Sequence, residues 1–284
     1  MSYPKLLKNE CERLYVKYGI GEKDSHAWVE EQFAKKAVLI PFVEMVITTF
    51  CNLKCKFCSN LIPYYKDSEV TEKETIFRWI DNLSKKAAIV FRLKIHGGEP
   101  LTHPDIAEII DYACSKDNIL DVRISTNGTI IPQANTWKAM QNSKFHLHIS
   151  DYESTCNINT DKLEQLAKQF GVNFFKMKDE PWQDLGGLYK RERTIKEQKT
   201  LVEKCNMSGC RSLQEGRLYV CSRSRHGERQ GHYIQREDEA LDIIKGFPFE
   251  SYLNFYQRYN FTACNYCDGA IKGKDEIAAG EQIR

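Results

Sequence analysis

Between residues 42 and 177 the chain alternates short apolar runs with longer stretches whose apolar residues recur every three to four positions. The runs "FVEMVITT" (42–49), "AIVFRLKIH" (88–96), "LDVRIST" (120–126), "FHLHIS" (145–150) and "VNFFKM" (172–177) predict strands. The stretches "TEKETIFRWIDNLSKKA" (71–87), "PDIAEIIDYACSK" (104–116), "NTWKAMQNS" (135–143) and "TDKLEQLAKQF" (160–170) predict helices, the first opening on a Thr71-x-x-Glu74 capping box. Alternation at this spacing predicts βα units around a parallel sheet. Five or six such units predict an α/β class fold, a partial TIM-like (β/α) barrel over residues 41–180. Residues 1–40 precede it as a helical segment, with two amphipathic helices between 3 and 37.

In such sheets the functional rim lies at the carboxyl ends of the strands. Four polar or cysteine-rich segments fall there: "CNLKCKFC" after the first strand, "GGEP" (97–100) after the second, "TNGT" (126–129) after the third and "SDYES" (150–154) after the fourth. Strand side chains alternate between faces. Phe91, Leu93 and Ile95 oppose Arg92, Lys94 and His96. Val122 and Ile124 oppose Arg123, Ser125 and Asn127. Phe145, Leu147 and Ile149 oppose His146, His148 and Ser150. An ordinary barrel fills its interior with branched aliphatic residues. A polar face on three successive strands predicts either a lumen that holds a polar ligand or a solvated sheet face.

Net charge is only +2 over 284 residues, which gives no electrostatic case for a nucleic-acid partner. No apolar run reaches the roughly 18 residues of a membrane span, and the first residues lack the apolar core of a secretory signal. The expected setting is cytoplasmic, where thiols stay reduced. The 11 cysteines therefore point to metal or catalytic work before disulfides.

Cys51, Cys55 and Cys58 sit on one loop as C-x3-C-x2-C. Structural zinc prefers four closed ligands in wider pairs. Three thiolates on a 4Fe–4S cluster leave one iron open for a substrate or cofactor. This spacing, with Phe57 just before the last cysteine, resembles the radical S-adenosylmethionine (SAM) superfamily. The resemblance covers roughly residues 40–180. It implies that Cys51, Cys55 and Cys58 hold the SAM-binding cluster. It also implies that Gly97, Gly98, Glu99 and Pro100 contact SAM, Glu99 taking its amino group, and that Ser125 and Asn127 reach its carboxylate and ribose.

Five more cysteines lie between 205 and 267: Cys205, Cys210, Cys221, Cys264 and Cys267. "RSLQEGRLYV" predicts a hairpin turning at Glu215-Gly216, which puts Cys210 across from Cys221. A zinc knuckle is one reading. Beside a radical SAM core, residues 201–284 resemble the auxiliary-cluster extension called a twitch domain, the shortened form of SPASM. That extension is a small β-hairpin plus helix. One auxiliary cluster takes four of the five cysteines, so two 4Fe–4S clusters are expected in all, and either Cys205 or Cys210 is spare. Residues 181–200 form a polar linker whose basic run reads as a solvated helix face. Trp182 and Asp184 fall where such enzymes place residues over the substrate.

The resemblance implies reductive SAM cleavage to a 5′-deoxyadenosyl radical that takes hydrogen from the substrate, with a reductase, flavodoxin or ferredoxin as electron donor. Lys94, His96, His146, His148, Ser150, Asp151, Tyr152, Trp182 and Asp184 are the substrate or catalytic candidates. They suit a polar, carbohydrate-like small molecule undergoing oxidation or epimerisation. Peptide modification and a non-catalytic iron–sulfur or zinc scaffold remain the alternatives.

Overall fold

The structure is a computed structural model and describes residues 3–156, 160–178 and 180–283. Two helices, α1 (Lys5–Lys17) and α2 (Ser25–Ala34), lead in, and Asp24 caps the second by accepting the Ala27 N–H. The barrel units follow: β1 (Leu39–Ile40), β2 (Val43–Thr48), α3 (Lys73–Lys86), β3 (Ile89–Val90), β4 (Leu93–Gly97), α4 (Ile106–Cys114), β5 (Val122–Thr126), α5 (Ala134–Met140) and β6 (Phe145–Asp151). The short α6 (Glu153–Cys156), α7 (Asp161–Gln169) and β7 (Phe174–Lys178) complete them. Then come β8 (Trp182–Gln183), α8 (Ile195–Lys204), β9 (Arg211–Gln214), β10 (Arg217–Tyr219), α9 (Ser222–Arg229), β11 (Leu241–Asp242), α10 (Phe249–Gln257) and β12 (Glu276–Ile277).

The main sheet has eight strands in the order β11-β10-β9-β2-β4-β5-β6-β7. Strands β2, β4, β5, β6 and β7 are parallel, as the βα alternation predicts, and β9 adds a sixth parallel strand beside β2. The hairpin is thus continuous with the barrel sheet. Its register pairs Gln214 with Arg217, as the turn chemistry predicts, with Glu215 at φ 52° and Gly216 at φ 74°. Positive φ at both central residues is the type I′ geometry that matches strand twist.

Two local readings change. The 88–96 run is two strands, because Phe91 and Arg92 turn to bond Ile40 and Val43. The Thr71 capping box does not form. The Thr71 N–H is held by the Ile47 carbonyl of β2, and α3 starts on Glu72 without a side-chain cap.

The alternating faces separate as expected. Leu93, Ile95, Val122, Ile124, Phe145, Leu147 and Ile149 are fully buried under helix residues such as Ile76, Ile80, Leu83, Ile109 and Ile110. Each such side chain contributes about 1.5–3 kcal/mol. The opposite face is polar and encloses a cavity. Near the amino end of the strands Asp121 accepts from Tyr18 at 2.6 Å and from Arg123 at 2.6 Å. No helix among the described residues is long and apolar enough to cross a membrane.

Candidate active site

The cysteine loop leaves β2 at Thr48 and is clamped from two sides. Gly98 N–H donates to the Thr48 carbonyl at 2.9 Å and Glu99 N–H to the Phe50 carbonyl at 2.8 Å. A Cβ at Gly97 (φ 143°) would stand 2.1 Å from the Thr48 carbonyl oxygen, and one at Gly98 2.0 Å from that of Phe50. The glycine pair is required here for backbone against backbone, a tighter demand than approach to a ligand. From the other side residues 281–283 run antiparallel to the loop: Lys56 N–H donates to the Glu281 carbonyl at 2.7 Å and Ile283 N–H to the Lys54 carbonyl at 2.8 Å. Gln282 Nε2 donates to Cys55 Sγ and Cys156 Sγ, both at 3.2 Å. Cys156, which stands alone in the sequence, therefore lies beside the loop. Burial pushes the Cys51 thiol up to about 11 and Cys55 up to about 12.

Glu99 is tied into the fold by backbone donors. Its carboxylate is 1% exposed and accepts the backbone N–H groups of Leu101 (3.1 Å) and Asn127 (2.7 Å). Burial raises it to about 7. It ties the "GGEP" turn to the end of β5, while Pro100 opens a buried 3-10 turn behind it. Asn127 passes this order on, its Nδ2 reaching Cys51 Sγ at 3.7 Å and Asn52 Oδ1 at 2.9 Å.

One cavity of about 470 Å³ runs from Cys51, Cys55, Phe57 and Cys58 down to Glu44 and Cys210. Lys94, His96, Ser125, Asn127, His148, Ser150, Tyr152 and Trp182 line it, as do Gly97 and Gly98. Its size is that of a small-molecule site. Lys94 Nζ lies 3.0 Å from Glu44 Oε1. Burial opposes the Glu44 charge, but the Lys94 ammonium beside it holds it ionised, down to about 2. Burial, then Lys94, lowers His96 to about 4; burial, then Arg123 and Lys94, lowers His148 to about 4. Both imidazoles are neutral at pH 7. Asn60 Nδ2 donates to His96 Nε2 at 2.8 Å, which leaves Nδ1 as the protonated nitrogen, without a partner among the described residues. Tyr152 and Trp182 meet edge to face, centroids 5.5 Å apart, over the rim end.

Three expected residues lie elsewhere. His146 is near the amino end of β6, 3.5 Å from Asp121, too low on the strand to reach the cavity. Asp151 has the parity of Phe145 and so faces the helices, buried and 3.2 Å from Lys176 Nζ. Asp184 accepts the Gly186 N–H at 2.8 Å in a neighbouring pocket with Phe57 and Cys58.

The second cysteine group divides. Cys205, Cys221, Cys264 and Cys267 line one cavity, and Cys210 lines the central one instead, together with Glu44. The paired register of the hairpin ends at Ser212 and Tyr219, short of Cys210 and Cys221, and the two thiols serve different cavities. Burial, with Cys267 and Cys205 close by, pushes Cys221 up to about 12. Ala270 N–H donates to Cys205 Sγ at 3.4 Å and Gly269 N–H to Cys267 Sγ at 3.3 Å. Four thiols with N–H donors to sulfur suit an iron–sulfur cluster.

The basic run of the linker is not a solvated helix face. Arg193 precedes α8 outside the helix and donates to the carbonyl oxygens of Cys264 (2.6 Å) and Cys267 (2.8 Å) and to Asp268 (2.7 Å). Arg191 pairs with the same Asp268. A real capping box, Thr194 with Glu197, starts α8 behind them.

Residues 45–155, which hold the cysteine loop and the strands from β2 to β6, match the model of the radical SAM superfamily. This family uses a 4Fe–4S cluster and SAM. The chain is 35% identical over 92 residues to a GTP 3',8-cyclase of Lactiplantibacillus plantarum, covering 32% of this chain and 27% of the relative. It is 35% identical over 89 residues to an S-adenosylmethionine-dependent nucleotide dehydratase of Selenomonas ruminantium, covering 31% and 30%. The matches thus span less than a third of either relative. Among solved structures, native anSMEcpe with bound AdoMet superposes at TM-score 0.53 and 14% identity over 86% of this chain and 93% of that one. BtrN in complex with AdoMet and 2-DOIA gives 0.53 and 13% over 87% and 97%. These two share the fold.

Proposed function

We propose that this radical SAM chain cleaves SAM reductively and takes hydrogen from a polar, carbohydrate-like small molecule, ending in oxidation or epimerisation. Cys51, Cys55 and Cys58 hold the SAM-binding cluster. Cys205, Cys221, Cys264 and Cys267 hold an auxiliary 4Fe–4S cluster, leaving Cys210 over. Bound together, the first cluster and SAM supply the 5′-deoxyadenosyl radical.

The observation that carries this reading is the single cavity joining the three-thiol loop to the Lys94–Glu44 pair. Lys94 and Glu44 hold opposite charges at its floor. The neutral imidazoles of His96 and His148, each with Nε2 already accepting from a protein donor, leave an N–H to donate to a hydroxyl group without adding charge. Tyr152 and Trp182 cover the substrate and keep water from the radical. An external one-electron reductant, such as a reductase, flavodoxin or ferredoxin, completes the system. Domain limits of 41–180 for the radical SAM part and 201–284 for the auxiliary part fit this division.

A second reading, a nucleotide substrate, is supported by the names of the two relatives and by the aromatic rings of Tyr152 and Trp182 in the cavity wall, whose faces suit a base. Assay with SAM, dithionite and C–H-deuterated candidates separates them. Deuterium in 5′-deoxyadenosine from a sugar-type substrate, and none from a nucleotide, supports the first reading; the reverse overturns it.

A further inference from the structure

Arg223 lies in the first turn of α9, two residues past Cys221, and is only 6% exposed. It lines the cavity of the four thiols and also the pocket that contains Phe57 and Cys58. It therefore stands in the wall between the two thiol sets. Its Nη2 donates to the Gly186 carbonyl at 2.8 Å, which holds the glycine turn of the linker against the same wall. Its Nε is buried without a partner among the described residues.

The other arginines of this helix have carboxylates. Arg225 pairs with Glu215 and Glu228, and Arg229 with Glu69 and Glu215. Among the described residues Arg223 has none within ion-pairing distance. A buried cation without counter-charge is costly, and an arginine stays protonated. Thiols line the cavities on both sides of it, and the second also holds the Asp184 carboxylate, beyond ion-pairing distance. One buried guanidinium thus faces both cavities that the thiols line.

We propose that Arg223 is the shared counter-ion of the two cluster sites and sets the reduction potential of the clusters they hold. This rests on the two-cluster reading above. A fixed positive charge stabilises the more negative, reduced form of a nearby cluster and so raises its potential.

The test compares reconstituted wild type, Arg223→Met and Arg223→Lys by iron content and by redox titration followed by electron paramagnetic resonance. Arg223→Met is expected to keep the iron of both sites. At a fixed applied potential, the reduced-to-oxidised ratio of at least one cluster falls about tenfold, a shift of about 59 mV for a one-electron couple. Arg223→Lys keeps the charge and recovers most of the shift. If Arg223→Met loses iron that Arg223→Lys retains, charge is needed for loading, and the counter-ion role stands. Wild-type potentials in Arg223→Met overturn it, as does equal iron loss in both variants, which would make the role one of shape. A wild-type chain with iron at one site alone is a different failure. It overturns the two-cluster reading, and the iron count shows it before any variant is titrated.

Discussion

Glu99 Oε2 accepts the backbone N–H of Asn127 at 2.7 Å, and through that bond the turn after β4 fixes the end of β5. The Asn127 side chain then reaches Cys51. Replacing Glu99 by Ala leaves buried N–H groups of Leu101 and Asn127 unpaired, at about 1–3 kcal/mol each. SAM affinity is expected to fall about tenfold or more while iron content stays near wild type. Equilibrium dialysis of SAM beside an iron assay checks this. Unchanged affinity would mean that the tie has no bearing on the SAM pocket.

The same carboxyl predicts a pH effect on stability. Burial raises Glu99 to about 7 in the folded chain. A raised pKa means that the folded state keeps a proton which the unfolded state releases near pH ~4.3. The associated stability is therefore present below that pH and is lost as pH rises to about 7, on the order of 3 kcal/mol. Urea midpoints at pH 5 and pH 8 should separate more for wild type than for Glu99→Gln. Equal separations would show that Glu99 does not titrate in this range.

Cys205 and Cys210 part company in the structure, and iron analysis should follow. Cys205→Ala is expected to lose about half of the iron, one of two four-iron clusters. Cys210→Ala is expected to keep it all. If Cys210→Ala then consumes SAM but fails to return hydrogen to the substrate, the thiol is a hydrogen donor and the reaction is epimerisation. If its turnover is that of wild type, the thiol is a packed bystander and oxidation is favoured. Iron loss in Cys210→Ala contradicts the division of the thiols.

Arg193 makes three bonds to the Cys264–Asp268 segment. Arg193→Met removes them all and should cut the iron of the four-thiol site at least twofold while sparing that of the three-thiol loop. Spectra of the two clusters, read separately, decide. Full iron in this variant would show that Cys264–Cys267 holds its shape without Arg193.

The parallel strands, their order and the polar lumen face were legible because strand and helix periods differ and side chains alternate along a strand. The cysteine triplet was legible because its spacing is local. What was hidden depends on contacts distant in sequence. Arg193 reads as one of several basic residues until its carbonyl partners more than 70 positions away are known. Cys156 and Gln282 meet only in the fold. Asp151 misled because the polar rim segment continues past the point where strand parity turns its side chain to the helices. Glu44 carried a signal, a charge inside a buried strand, that was available in "VEMVIT". Thr71 shows the limit of a short motif: its N–H was claimed by β2 before it could cap a helix.

The central claim is that Cys51, Cys55 and Cys58 support SAM cleavage beside a substrate cavity. The most direct measurement is the release of 5′-deoxyadenosine after anaerobic reconstitution with iron and sulfide, SAM and dithionite. Wild type should release it, and the variant with all three cysteines changed to Ala should release none while keeping about half the iron. A fully loaded wild type that yields no 5′-deoxyadenosine, or a triple variant that still does, would contradict the account.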